Sequence, residues 1–396
     1  MTHGLSASKI LVTGGTGFIG GRLVEKLTLT SRIPVRVLVH DFARAWKLAR
    51  LPVEMVQGDV AEPQQVRNAA QGCDVIVHCA YGTAGEQETK RQATIEGTRN
   101  VLEAALQLRL KRVVHLSTLM VYGVPPDGDL DETAPRHYLD NLYADSKLDA
   151  ENLALDYAKT RGVPVVVLQP GIVYGPYARF WTMNIVDSLK AGKVILVNGG
   201  QGLCNAVYID DLVQAILLSI KENEAAGETF LISAAEPVTW RTFFEHYEQI
   251  LGFSSTVSMS AAEAIDYYRQ QAQPRRSILR ESIEIIRENP LILDRIVTTR
   301  EVAGFMKAAG FLVPKPVRES LKGKILTNGK NGSESIATKP EKPLLPLDPL
   351  TVRMYAAKTR VRIDKARRLL GYRPAFDLSS GMNVTEQWLR WAKLVH

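Results

Sequence analysis

With 396 residues, 45% of them hydrophobic and 23% charged, the chain can build one large core or two lobes around a cleft, which excludes disorder as the default. A formal charge of +7 and a pI near 9.2 suit an anionic ligand, but no clustered basic motif points to nucleic acid, so no nucleic-acid partner is expected. Cys73, Cys79 and Cys204 form neither a disulfide framework nor metal-ligand spacing, the opening MTHGLSASK carries no leader pattern, and the longest apolar run is broken at Pro170 and Gly171; these features lead us to expect a cytoplasmic protein with no metal site.

Along the first two hundred residues, β-branched runs at 9–13, 35–39, 53–56, 74–78, 112–117 and 165–169 alternate with segments of helical periodicity such as 18–30, 85–108 and 144–161. Strand, helix and strand in repetition predict an α/β fold with a doubly wound parallel sheet, because parallel strands need crossovers and are buried on both faces. Residues 1–176 are read as one such domain, with segments of the C-terminal half returning to it. A helix near 180–191, a strand at 194–197, a helix at 211–222, a strand at 229–232 and a helix at 239–251 predict a smaller lobe over 177–255, completed by 351–396. Residues 256–326 are read as a basic helical insert, and 327–350, rich in Gly, Ser, Lys and Pro, as a flexible linker.

Residues 13–20 read TGGTGFIG, between the first strand and the first helix. A turn that seats a pyrophosphate on a helix N-terminus needs bare backbone: Gly14 for the tight turn, Gly17 for approach of the phosphates, Gly20 for packing of the helix on the strand. Asp59 and Val60, closing the third strand, are placed to meet an adenine; the alternative for Asp59 is a plain turn aspartate.

Taken together, TGGTGFIG, GDV, DVIVHCA, HLSTLMVYG, YADSK and LQPGIVYGP resemble the extended short-chain dehydrogenases/reductases, the NAD-dependent epimerase/dehydratase family, over about residues 8–251 and again at 362–374. The resemblance implies a Rossmann-type domain and an NAD(P) cofactor along Gly14, Thr16, Gly17, Phe18, Ile19 and Gly20, at His40, Arg44, Asp59 and Val60, at Cys79 and Ala80, and at Tyr143, Lys147, Pro170, Gly171 and Ile172. It also implies a catalytic set of Thr118, Tyr143 and Lys147 with Ser117 as an adjacent helper. Tyr143 would be the general acid/base, and Lys147, one helical turn on, would lower its pKa and hold the nicotinamide ribose. The alternatives are a core tyrosine, a surface lysine and a strand-end threonine.

Departures from the family pattern narrow the expectation. Family 4,6-dehydratases carry Asp-Glu where this chain has Leu119 and Met120, which exchange no protons. Ile172 and Leu203-Cys204-Asn205 replace residues that help bind a nucleotide diphosphate. Thr94 stands where Asn is common. The second strand ends at Val39 without the acid that favours NAD; His40 and Arg44 tip the reading slightly towards NADP, with Asp41 opposing.

The basic residues of 256–326 outnumber its acids and interleave with Ile278, Leu279, Ile283, Ile285, Ile286 and Leu291 to Leu293. An amphipathic subdomain packed on the second lobe or on a second subunit is favoured over a lid or a membrane-surface face, and a homodimer is left open. The expected activity is hydride transfer at a secondary alcohol or ketone carbon of a small molecule, with the insert pointing to a large or lipophilic one. A sugar-nucleotide epimerase with tightly held cofactor is the first alternative. A non-catalytic dinucleotide-sensing protein is the second.

Overall fold

Neighbouring residues of a strand point to opposite faces, and a strand apolar at every position must therefore be covered on both. The computed structural model, which describes residues 7–82, 86–272 and 342–395, bears this out. Strands β1 (Ile10–Thr13), β2 (Val35–Val39), β3 (Glu54–Gln57), β4 (Val75–His78), β5 (Arg112–Leu116), β6 (Val165–Pro170) and β7 (Thr229–Ile232) form one seven-stranded sheet in the order β7-β6-β5-β4-β1-β2-β3. Every pairing in it is parallel.

Ile10, Val12, Val75, Val77, Val114 and Val166 face α1 (Phe18–Thr30) and α5 (Ile209–Lys221), where they pack in one cluster with Leu23, Leu27, Leu212 and Ile216. Leu11, Ile76, Val113, Val165 and Val167 face the other way, towards Val66 of α2 (Pro63–Ala70), Val101 of α3 (Gln87–Gln107) and Ala154 of α4 (Leu142–Arg161). The sheet is thus doubly wound, as expected. Its order reverses direction between β1 and β4, the crevice at which open α/β sheets bind ligands.

The smaller lobe is built differently from its expected outline. Its aromatic residues Trp240, Phe243, Tyr247 and Tyr355 belong to the same buried cluster as Val12 and Val77 of the sheet, so residues 7–268 and 342–395 share one core and fold as one compact unit. The insert does not begin at residue 256. Thr256–Met259 is a strand parallel to Lys193–Val197, followed by a helix, Ala261–Ala272. The linker also ends before residue 350: Leu344–Leu345 pairs with Lys193–Val194, and Asp348 caps the helix Pro349–Ala356 by accepting from the Leu350 and Thr351 N–H groups at 3.0 and 3.1 Å. The remainder of the basic insert and linker, 273–341, lies outside the described residues. Among the described residues no helix is long and apolar enough to cross a membrane.

Two carboxylates tie α5 to its surroundings. Asp210 takes a two-pronged bond from Arg22 of α1, at 2.6 and 2.8 Å. Asp211, 1% exposed, accepts from the N–H groups of Ala375 and Phe376 at 2.7 and 3.1 Å, holding the C-terminal segment. Burial pushes the Asp211 carboxyl up to about 6, while those two backbone bonds pull it down. The folded state therefore binds this proton more tightly than the unfolded chain, and Asp211 contributes stability that is lost as pH rises from about 4 to about 6. Urea midpoints measured across that window should show a steeper loss in the wild type than in Asp211→Asn, which carries no titrating group there. Parallel curves would refute this assignment.

Candidate active site

All seven strands end on one edge, and the residues singled out in the sequence lie mostly along it. At the end of β1 the chain turns through Gly14 at φ +69°, where a side chain would meet the backbone of β4's extension at 2.7 Å from Ala80 N and 2.8 Å from Cys79 C. The Gly17 N–H donates to Gly14 O at 3.0 Å, and Gly17 caps α1 without any side-chain bond. A Cβ on Gly20 would lie 2.4 Å from Gly14 O. The turn is therefore a cradle without side chains, opening on the unpaired first-turn N–H groups at Phe18 and Ile19 beside Thr16. These are the donors a pyrophosphate needs, so the residues present fit a dinucleotide.

Farther along the edge, His40 Nδ1 lies 3.3 Å from Asp59 Oδ2, joining the ends of β2 and β3. Asp59 also accepts from Ala61 N–H at 2.9 Å. Arg44, largely exposed, reaches Asp41 at 3.6 Å. The Val60 carbonyl takes a bond from Asn100 at 3.1 Å, and a Cβ on Gly97 of α3 would come within 2.9 Å of the Val60 side chain.

On the other side of the crevice, α4 opens at the Asn141 cap, which accepts from the Ala144 N–H at 3.0 Å. Asp145 receives the N–H groups of Leu139 and Asn141 at 2.8 and 3.1 Å. This double anchoring fixes Tyr143 in the helix's first turn, where it projects into the cleft and stays 41% exposed. Thr118, following β5, lies near enough to the Tyr143 phenol to lower its pKa, and the Met120 N–H donates to the Thr118 Oγ1 at 3.3 Å. Lys147, 4% exposed, donates from Nζ to the Leu116 carbonyl at 2.7 Å. The structure thus brings Thr118, Tyr143 and Lys147 to one place.

Their ionisation differs from the expectation. Burial first, and Tyr81 second, push the Tyr143 phenol up to about 12, with Thr118 pulling down; the exposed part of the ring lets solvent screen some of that push. The cause is spatial, because the Lys147 ammonium turns inward to the Leu116 carbonyl. Burial lowers Lys147 to about 8, with Cys79 and Glu151 opposing.

Two expected roles change. Ser117 does not face the reacting side: its Oγ donates to Glu151 Oε2 at 2.5 Å inside the protein, because adjacent strand-end residues point to opposite faces. The N–H groups of Gly171 and Ile172 are already used, by the carbonyls of Ile232 at 2.9 Å and Asn205 at 3.0 Å. A Cβ on Gly171 would sit 2.1 Å from Asn205 O, so this glycine serves a close strand crossing. Pro170, the last residue of β6, is buried at the carboxyl end of that strand.

Sequence reasoning missed several participants. Tyr81 stands edge-on to Tyr143, ring centres 5.8 Å apart, with Lys147 Nζ 5.5 Å from its own ring centre. Thr94 bonds the Gly82 N–H at 2.9 Å and holds the loop after β4, which gives the departure from Asn a structural purpose. Glu151 is one turn beyond Lys147 on the helix. That spacing was legible; its partners were not.

A family model described as the NAD dependent epimerase/dehydratase family matches residues 10–233. The chain is 31% identical over 250 residues to 2-alkyl-3-oxoalkanoate reductase of Shewanella oneidensis, covering 59% of this chain and 63% of that protein. It is 28% identical to a 4-hydroxy-2-methyl-3-oxo-4-farnesyl-3,4-dihydroquinoline-1-oxide ketoreductase of Stigmatella aurantiaca, covering 63% and 75%, and 34% identical to dTDP-glucose 4,6-dehydratase of Streptomyces niveus, covering 61% and 76%. Among solved structures, UDP-glucuronic acid 4-epimerase from Bacillus cereus superposes with a TM-score of 0.65 at 20% identity, covering 97% of this chain and 99% of that one. That likeness is one of fold.

Crowding at the turn gives a direct test. Gly20→Ala forces backbone apart and should cost about 1–3 kcal/mol of stability together with about tenfold in NADH affinity, read by nicotinamide fluorescence. Gly72→Ala, where a Cβ meets nothing within 4 Å, should cost only the strain of its positive φ, about 1 kcal/mol, and leave affinity unchanged. Equal affinities in the two variants would contradict the cradle.

Proposed function

The chain belongs to the NAD-dependent epimerase/dehydratase family, and we propose that within it the protein is a reductase of a lipophilic ketone. The observation that carries this reading is the gathering of Tyr143 and Lys147 about the Tyr81 ring, at 5.8 and 5.5 Å from its centre, beside Thr118, with the apolar Leu119 and Met120 next in the chain. In the reducing direction the residues divide the work as follows. Gly14, Gly17 and the first turn of α1 would hold the pyrophosphate, and Lys147 would be the residue to hold the nicotinamide ribose. When bound, the dinucleotide supplies a hydride from C4 of its nicotinamide. Thr118 and Tyr143 would hydrogen-bond the substrate carbonyl oxygen and so orient it. Tyr143, pushed up to about 12, holds its proton at neutral pH and delivers it to that oxygen as the C–H bond forms. Its phenol is thus a proton donor at neutral pH, as the reducing direction requires.

The apolar Leu119 and Met120 offer no proton for eliminating water, which weighs against a dehydratase despite the similarity to one. Asn205 spends its amide on Thr359 and Val361, at 2.9 and 3.0 Å, and is not available to a nucleotide diphosphate. Similarity to reductases of alkyl and farnesyl ketones supports a substrate with a hydrocarbon chain. For the cofactor, exposed Arg44 and His40 favour a 2′-phosphate, with Asp41 in competition; parallel titrations should give tighter binding of NADPH than NADH, and a strong preference for NADH would overturn that choice.

The assay follows absorbance of NADPH with a 2-alkyl-3-oxoalkanoate as the probe and UDP-glucuronic acid as the comparison. The expected result is consumption of one reduced cofactor per ketone reduced. Tyr143→Phe should lower kcat by about 10²–10⁴-fold while binding NADPH unchanged. Interconversion of the sugar nucleotide without net consumption would favour the epimerase reading. Binding of cofactor with no turnover of any ketone, unaltered in Tyr143→Phe, would favour a sensor.

A further inference from the structure

Beneath the reacting groups lies a buried ionic network that the mechanism above does not use. Glu151 is fully buried. Its Oε2 accepts from Ser117 at 2.5 Å and from Gln169 at 3.0 Å, and its Oε1 accepts from Gln169 at 2.8 Å. Arg136, from the loop before α4, closes on the same carboxylate at 3.0 Å. The Tyr122 hydroxyl donates to the other end of the Gln169 amide at 2.8 Å. One carboxylate therefore joins three pieces of the site: Ser117, next to Thr118; Gln169, next to Pro170; and α4 itself, which carries Tyr143 and Lys147.

A carboxylate without solvent survives only if its charge is met and its oxygens are bonded. Among the described residues, the one guanidinium touching it is that of Arg136, from a loop that must be in place for that to happen. We propose that Arg136 and Glu151 form a positioning clamp, which locks the ends of β5 and β6 to α4 and holds the Lys147 ammonium in its charged form. Neither residue touches substrate or cofactor.

The electrostatic surroundings of Lys147 make the second part testable. The Lys147 ammonium donates to the Leu116 carbonyl and lies 5.5 Å from the Tyr81 ring centre; Cys79, and Glu151 one turn along the same helix, act on it electrostatically and favour its charged form. On β4 and β5, His78 and His115 are both buried; burial, with Lys147 as a further cause, lowers their pKa values and keeps them neutral. Tyr143 on the same helix keeps its proton. Glu151 is thus the carboxylate favouring the protonated amine, and replacing it with an amide makes the amine lose its proton at lower pH.

This inference rests on the reading that a nicotinamide dinucleotide binds at Lys147, and the experiment separates the two. NADPH affinity is measured by fluorescence from acid to alkaline pH for the wild type and Glu151→Gln, with thermal unfolding in parallel. The wild type should weaken along an alkaline limb, and that limb should move down by about one pH unit in Glu151→Gln. An unmoved limb, whatever the change in melting temperature, overturns the clamp's charge role. Failure of the wild type to bind NADPH or NADH overturns the functional reading instead.

If Glu151→Gln does not fold, Arg136 supplies the second arm. Burial raises the Glu151 pKa and Arg136 is the first cause opposing it; Arg136→Met removes that cation while the Ser117 and Gln169 bonds remain, raising the folded pKa further, so the variant's loss of melting temperature should be larger at about pH 8 than at about pH 5.5. Arg136→Lys should recover much of it. A loss in Arg136→Met that is independent of pH, or one that Arg136→Lys does not relieve, overturns the ionic clamp.

Discussion

The line along which β1 lies against β4 governs this molecule. There the sheet changes direction, the Gly14 turn presses its bare backbone against Cys79 and Ala80, and no side chain larger than hydrogen fits between them. Because that approach is so close, α1 starts immediately after the turn and points its first N–H groups into the crevice. The edge on which every parallel strand ends then becomes the place where Thr118, Pro170 and the start of α4 converge. The site is a consequence of sheet topology before it is a matter of individual catalytic groups.

Burial of charge is the second organising constraint. Desolvation disfavours the ionised forms of both Tyr143 and Lys147, and it acts in opposite directions on their pKa values. The phenol keeps its proton, and the amine is brought closer to losing one. Glu151 lies beneath them as a counter-charge, itself held by Arg136. Pre-organisation of this kind replaces water by fixed dipoles and charges around the reacting oxygen.

Much of this was legible in the residues. Six of the seven sheet strands announce themselves as β-branched runs, whereas Thr229–Ile232 was expected in the smaller lobe and pairs with β6 instead; TGGTGFIG, Thr118 and the Tyr143–Lys147 spacing mark the crevice because local geometry fixes what they do. Where the reading departed, the reason was non-local. Ser117 is next to Thr118 in sequence but on the opposite side of the strand end. Lys147 was expected to face the phenol, and the carbonyl of Leu116, 31 residues back at the end of β5, draws it inward. The two-residue strand Leu344–Leu345 has no periodicity to detect, although Asp348-Pro349 is a cap signal that marks the helix after it. Glu151 sits at helical spacing from Lys147, yet its guanidinium partner comes from a loop whose path no pattern encodes. Gly171 looked like a contact for the nicotinamide and is explained by the Asn205 carbonyl pressed against it.

The central claim is that a hydride passes to a ketone carbon while Tyr143 supplies the proton to oxygen. It is tested most directly with NADPH carrying deuterium at the transferred position of C4 and a 2-alkyl-3-oxoalkanoate as acceptor, followed by mass spectrometry of the product. The account predicts one deuterium on the new carbinol carbon, with the hydroxyl proton drawn from solvent. A turned-over product without deuterium on that carbon, whether isomerised or dehydrated, would contradict it.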